Sequence, residues 1–265
     1  MSDNQHKMKE LYGFAQDMIQ EAANKAQGFY GKGKNSVRFD EALITQAELE
    51  MMDLFQQQLQ HRFTNHQVFR GGSLQEDYSH GAERYLWIFD PFDGVANFQA
   101  GIPIWGTSLA LIENFWPVLG IIALPATGDT FQAIAGREAL WNSRRMNVSP
   151  ITQINDESLL LTYSRFHQHY KTSFPGKIRN LGCTAAHISY VAMGRADAAI
   201  IANESFQGLA AARVIVEAAG GKIYQMDGSE FALNEHLGGK PITGHLLVTG
   251  TETKMPILTT LQRMA

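Results

Sequence analysis

Apolar side chains fall at Met8, Leu11, Ala15, Met18, Ala22 and Ala26. That spacing of three and four predicts an amphipathic helix over residues 7–27. Gly28, Gly31 and Gly33 end it and open a polar loop. Thr45-x-x-Glu48 has the form of a capping box, and Leu49, Met52, Leu59 and Phe63 follow on one face. A second helix is therefore expected to start at Thr45. From there the pattern changes to short aliphatic and aromatic runs. Tyr85–Phe89, Thr107–Ile112, Val118–Leu124, Thr130–Ala135 and Ala139–Trp141 are separated by turn-forming residues and predict a mainly antiparallel sheet.

After Ser149-Pro150 strands alternate with helices. Leu159–Thr162, Ala198–Ile201, Ile223–Tyr224 and Leu246–Val248 read as strands. Ala185–Met193, Leu209–Ala219 and Thr251–Met264 read as helices, the second stopped by Gly220-Gly221. The alternation indicates an α/β lobe in layers. Two lobes of one compact unit follow, residues 1–143 and residues 144–265.

Composition narrows this picture a little. With 45% hydrophobic and 18% charged residues over 265 positions, the chain has enough apolar material for a sizeable core. A net charge of −4 gives no overall field that would attract nucleic acid. There is no apolar run long enough to span a bilayer and no apolar stretch at the N-terminus of the kind a secretory signal carries. The single cysteine, Cys183, cannot pair within the chain. A cytoplasmic protein is expected.

The richest segment chemically is Trp87-Ile88-Phe89-Asp90-Pro91-Phe92-Asp93-Gly94-Val95-Ala96-Asn97-Phe98. A strand delivers Asp90 to its end, Pro91 stiffens the exit and Gly94 allows a tight turn. The Asp90 and Asp93 carboxylates and the Phe92 carbonyl form a hard-oxygen set suited to Mg²⁺. Asp-Pro-x-Asp-Gly is also a sound turn sequence in its own right.

This segment resembles the WxxDPxDGTxNF signature of the inositol monophosphatase family. Three further blocks resemble that family in the same order: residues 106–142, the run GCTAAHISYVAMGRADAAI, and the run AAARVIVEAAGGKI. The resemblance covers nearly the whole chain. It implies a five-layer αβαβα sandwich of the inositol monophosphatase and fructose-1,6-bisphosphatase type, normally a homodimer, that hydrolyses small phosphate monoesters with Mg²⁺. It also implies metal positions at Asp90, Phe92 (through its carbonyl) and Asp93, and substrate contacts at Gly94, Ala96, Thr184 and Ala185.

Other positions depart from the pattern. The family's G-E-E-S stands here as Arg70-Gly71-Gly72-Ser73, its water-orienting Thr as Val95, its W-D pair as Gln207-Gly208, and an acidic substrate-binding position as Ile201. Two of four carboxylates remain, and Mg²⁺ binding is expected to be weak or absent. One strong transition-state contact is commonly worth ~10²–10³ in rate, so loss of several implies a pseudo-phosphatase with a binding or structural role. Two alternatives stand beside it. One is an active Mg²⁺-dependent phosphatase with a rebuilt site, drawing on Glu48, Glu76, Asp77 or Glu204. The other is a metal-independent sensor of a small phosphorylated ligand, gripped by Arg70 and the helix start at Thr184. His187 is expected to be a packing histidine.

Overall fold

The computed structural model describes residues 3–32, 41–69, 85–114, 116–236 and 241–264. Helices α1 (Asp3–Gln27) and α2 (Glu41–Arg62) lead into a seven-stranded sheet. Its strands are β1 (Gln67–Val68), β2 (Tyr85–Asp93), β3 (Gly106–Glu113), β4 (Trp116–Leu124), β5 (Asp129–Ile134), β6 (Ala139–Trp141) and β7 (Arg144–Met146), ordered as in the chain. A short helix, α3 (Val95–Ala100), follows β2. All pairings are antiparallel except β1 on β2. The expected antiparallel sheet is present, and it continues through β7, past residue 143.

The rest of the chain is β8 (Leu159–Thr162), α4 (Phe166–His169), β9 (Tyr170–Thr172), β10 (Lys177–Arg179), α5 (Thr184–Ala192), β11 (Ala198–Ala202), α6 (Phe206–Ala218), β12 (Gly221–Gln225), β13 (His245–Gly250), α7 (Lys254–Leu258) and β14 (Leu261–Arg263). Five of these strands form a mixed sheet in the order β10-β8-β11-β13-β12. Strands β14 and β9 form a separate ribbon.

The side-chain period of two sorts β2 between two cores. Tyr85, Trp87 and Phe89 pack with Leu11, Met18 and Phe55 of the first two helices. Leu86 and Ile88 face the opposite way, toward Ile188 of α5 and Leu209 and Ile215 of α6. That second core continues to Ile201 and Val248 of the mixed sheet. Beyond it, Leu160, Ile200 and Leu247 pack with Phe166, Tyr170 and Ile257. Helices, sheet, helices, sheet and helices thus make five layers, the expected αβαβα sandwich. The central layer is tight because α6 carries Ala210, Ala211 and Ala212 against Gly120 of β4. A Cβ on Gly120 would sit 3.0 Å from the Cα of Ala211 and closer still to its carbonyl oxygen. Among the described residues no helix is long and apolar enough to cross a membrane.

Two expectations about element ends fail. The second helix begins at Glu41, so Thr45 and Glu48 lie inside it and form no capping box. The expected helix over 251–264 is only α7 followed by β14. Thr259 and Thr260 turn their hydroxyls back onto the carbonyls of Pro256 and Ile257 at 3.0 and 2.7 Å. Such local bonds compete with helix propagation, and the chain then pairs with Tyr170–Thr172 instead.

Candidate functional site

Strand β2 is buried on both faces and carries Asp90 to the end of its regular pairing with β3, opposite Ser108. The ladder then slips, and Asp93 pairs opposite Gly106. This bulge turns the chain toward the start of α5. Gly94 follows at φ 79, where a Cβ would lie 3.0 Å from the Cβ of Cys183 and 3.0 Å from the carbonyl oxygen of Ile104. Only glycine fits both the conformation and the space. Buried Asn97 locks the turn to the α5 approach, its Nδ2 donating to the carbonyls of Ile104 (2.6 Å) and Leu181 (2.7 Å).

Asp93 faces the first turn of α5. Its Oδ2 accepts the N–H of Ala185, and the N–H groups of Thr184 and Gly94 and the Cys183 thiol also donate to it. Burial pushes its carboxyl up, and these donors pull it back. The same burial, with Asp93 beside it, pushes the Cys183 thiol well above its ordinary value, so this cysteine is no nucleophile.

Asp90 has less support. Its carboxyl is pushed up to about 8, first by burial, then by the charges of Asp93 and Glu204, with Glu48 adding to them; the N–H of Phe92 is what opposes this. Glu204, in the approach to α6, is pushed up to about 7 by burial and by Asp93. Its Oε1 accepts the Thr184 hydroxyl at 2.7 Å. Glu48 on α2 is itself raised by burial.

Gly208, expected from the resemblance to stand where the family has its W-D aspartate, lies in the first turn of α6. Its N–H is capped by Ser205 Oγ at 2.9 Å. A Cβ built there would lie 3.6 Å from Asp90 Oδ2 and 3.6 Å from Glu204 Oε2. Glu204 therefore reaches into the space beside the missing side chain. Gln207 donates to the Phe89 carbonyl at 2.6 Å and ties α6 to β2. Val95 is half-buried against the first core. Ile201 is fully buried in the second core. Ala96 is exposed at the start of α3. Arg70, Gly71, Gly72, Ser73, Glu76 and Asp77 lie outside the described residues. His187 is a packing histidine: it is buried, its Nε2 accepts the Leu181 N–H at 3.0 Å, and burial lowers it to about 4.

Sequence reasoning placed Asp90 and Asp93 at one turn, and they are there. It placed Thr184 and Ala185 beside an anion; their N–H groups are taken by Asp93 and the Thr184 hydroxyl by Glu204. It named Glu204 among the carboxylates that could rebuild the site, but not its position beside Gly208 and Asp90. Residues 203–208 carry no local signal for this, because Glu204 precedes the Ser205 cap and spacing along the chain does not fix its direction.

The profile of the inositol monophosphatase family matches residues 7–250. The chain belongs to the inositol monophosphatase family. Its members are phosphatases acting on phosphate monoesters. Over 160 residues the chain is 32% identical to a protein of Xylella fastidiosa named Nus factor SuhB, covering 57% of this chain and 58% of that one. It is 28% identical over 226 residues to a histidinol-phosphatase of Chlorobaculum parvum, covering 82% and 86%. The match to the first thus spans less than two thirds of that relative's length. A solved inositol monophosphatase from Thermotoga maritima superposes with a TM-score of 0.75 at 22% identity, over 95% of this chain and 96% of that one, which speaks for the fold.

The family's Mg²⁺ dependence can be tested against this inositol monophosphatase fold's own donors. Mg²⁺ takes oxygen ligands in near-octahedral geometry and keeps several waters, so one or two carboxylates suffice for a single ion. Asp90, the Phe92 carbonyl, Asp93 and Glu204 are the oxygen donors here that would hold such an ion. Among the described residues no three His, Cys, Asp or Glu side chains gather closely enough to hold an ion by themselves.

Proposed function

We propose that this chain is a phosphatase-fold binding protein that takes one Mg²⁺ and a small phosphate monoester weakly and hydrolyses the ester poorly, if at all. The observation that carries the reading is Val95. At the family's water-orienting position stands a half-buried valine packed against the first core, with no group to hold or receive a proton. Gly208 and Gly71 add no carboxylate. Asp90, Asp93 and the Phe92 carbonyl would hold the ion, which when bound neutralises phosphate charge. A binding role accords with a relative that carries the name of a Nus factor. The protein would act as a homodimer in the cytoplasm.

A second reading is favoured by Glu204, whose carboxylate lies beside Gly208 and Asp90. In it the site is rebuilt, with Glu204 replacing the lost aspartate, and the chain remains an active phosphatase of inositol monophosphate or a related ester. The named phosphatases among its relatives support this. Turnover of inositol monophosphate and of an aryl phosphate in excess Mg²⁺ separates the two. Rates within about tenfold of an active family member, abolished in Glu204→Gln, establish the second and overturn the first. Rates at background, with Mg²⁺ still detected calorimetrically, support the first.

A further inference from the structure

The acidic cleft lies at the N-terminal end of α5. At the other end of that helix, about 13 Å away by its nine residues, the surface has the opposite character. A cleft of about 320 Å³ is lined by Trp141, Arg144 and Arg145 of the β6–β7 hairpin and by Arg195 of the turn after α5. Arg145 is paired with Glu138 at 2.8 Å. Arg144 and Arg195 have no ion-pair partner among the described residues. Asp129, on the neighbouring strand β5, accepts the Trp141 indole N–H (2.7 Å) and the Thr127 hydroxyl (2.7 Å), and Asp197, two residues past Arg195, accepts the Leu159 N–H (2.8 Å).

The hairpin is built to hold these groups still. Asn142 and Ser143 both adopt positive φ, 44° and 67°, giving the two-residue turn with left-handed centres that suits a twisted hairpin. Serine is an unfavourable choice there. Asn142 offsets it by a reciprocal pair with Thr130: its N–H donates to the Thr130 carbonyl at 2.9 Å and its Oδ1 accepts the Thr130 N–H at 2.8 Å. The ladder then sets Arg144 directly opposite Trp141, on one face. On the far side, Arg195 is held by its own N–H to the Tyr190 carbonyl at 2.9 Å. Two guanidinium groups without ion-pair partners among the described residues thus line one cleft with an indole whose N–H is fixed.

We propose that this cleft binds a nucleoside phosphate, with Arg144 and Arg195 on the phosphate oxygens and Trp141 beside the base. Guanidinium forks match phosphate oxygens in pairs, and an indole gives a base a flat surface to stack on. A phosphate beside a flat ring is offered equally by a free nucleotide and by an unpaired stretch of RNA. Independence from the acidic cleft follows from position: the two clefts lie at opposite ends of α5 and share no lining residue.

The test is calorimetry on the full chain in EDTA and low salt, with adenosine monophosphate, adenosine, inorganic phosphate and a short oligoadenylate. Adenosine monophosphate is expected to bind, and Arg144→Gln with Arg195→Gln to weaken it by at least about tenfold. Both arginines are exposed, so the double variant keeps the fold, checked by circular dichroism. Trp141→Leu is expected to weaken adenosine monophosphate while leaving inorganic phosphate unchanged. Oligoadenylate bound about tenfold more tightly than the mononucleotide identifies RNA as the source; equal affinity identifies the free nucleotide. No binding of adenosine monophosphate at millimolar concentration, or unaltered binding by the double arginine variant, overturns the proposal.

Discussion

Gly208→Asp puts the reasoning about the acidic cleft at risk. The position lies in the first turn of α6, and its Cβ would meet Ser205 Oγ at 3.4 Å, Asp90 Oδ2 at 3.6 Å and Glu204 Oε2 at 3.6 Å. These are ordinary contacts, so the side chain fits sterically. The new carboxylate would then stand about 4 Å from two others. At an effective dielectric of about 20, each fully charged pair costs about 4 kcal/mol. Asp90 and Glu204 titrate near 8 and 7 in the wild type, so near pH 7 Glu204 is about half ionised and Asp90 mostly protonated. The expected cost at pH 7 without metal is about 2 kcal/mol, offset by about 0.5 kcal/mol from the favourable helix N-terminus. Near pH 6 both neighbours keep their protons and the cost falls below about 1 kcal/mol. Above pH 8.5 it rises to about 4 kcal/mol or more. Mg²⁺ reverses the sign, because the added oxygen becomes a ligand. Urea unfolding at pH 6, 7 and 8.5, in EDTA and in Mg²⁺, reads all of this. A variant as stable as wild type in EDTA at pH 8.5 refutes the placement of the three carboxylates.

Other expectations concern the scaffold. Gly120→Ala drives a methyl into the Ala211 backbone and is expected to lower stability by about 2–3 kcal/mol, read from the urea midpoint at unchanged slope. His187 is held neutral, lowered to about 4 from an ordinary 6.5. Its unfolded form gains a proton that the folded form refuses, so stability is full above pH 6.5 and falls by up to about 3 kcal/mol as pH drops toward 4. Chemical unfolding across that window checks it, and His187→Gln is expected to flatten the slope.

The layers were legible in the sequence because strands buried on two faces read as unbroken apolar runs. Thr107–Ile112 and Val118–Leu124 lie within β3 and β4, and Leu159–Thr162 coincides with β8. The ends of elements were less legible, because local chemistry there is overruled by distant partners. Thr45-x-x-Glu48 satisfies the capping pattern, yet the helix starts at Glu41, and Glu48 faces the acidic cleft. The ribbon of β9 and β14 brings together residues far apart in the chain, and no local periodicity announces it. At the site, the turn that carries Asp90 and Asp93 could be read directly. The reach of Glu204 could not, because spacing along the chain does not reveal which way a residue outside a helix projects.

Asp90 and Asp93 look equivalent in sequence, but their surroundings assign them different reasons to persist. Asp93 accepts the N–H groups of Ala185, Thr184 and Gly94. It closes the start of α5 and would be needed even in a protein that bound nothing. Asp93→Ala leaves those donors unpaired, and each unsatisfied buried group costs about 1–3 kcal/mol. Asp90 is tied to the backbone by the Phe92 N–H and is crowded by acidic neighbours. Its carboxyl is raised, so in metal-free protein its contribution runs against folding: below about pH 4 the folded and unfolded chains both carry the proton, and stability falls as pH rises from there toward 8. Asp90→Asn removes that slope and offers an amide donor to Glu204 and Asp93. It is therefore expected to raise metal-free stability at pH 8.5 while abolishing stabilisation by Mg²⁺. If Asp90→Asn instead destabilises the metal-free chain as Asp93→Ala does, Asp90 is a turn residue, and the case for a cation in this cleft loses its main support.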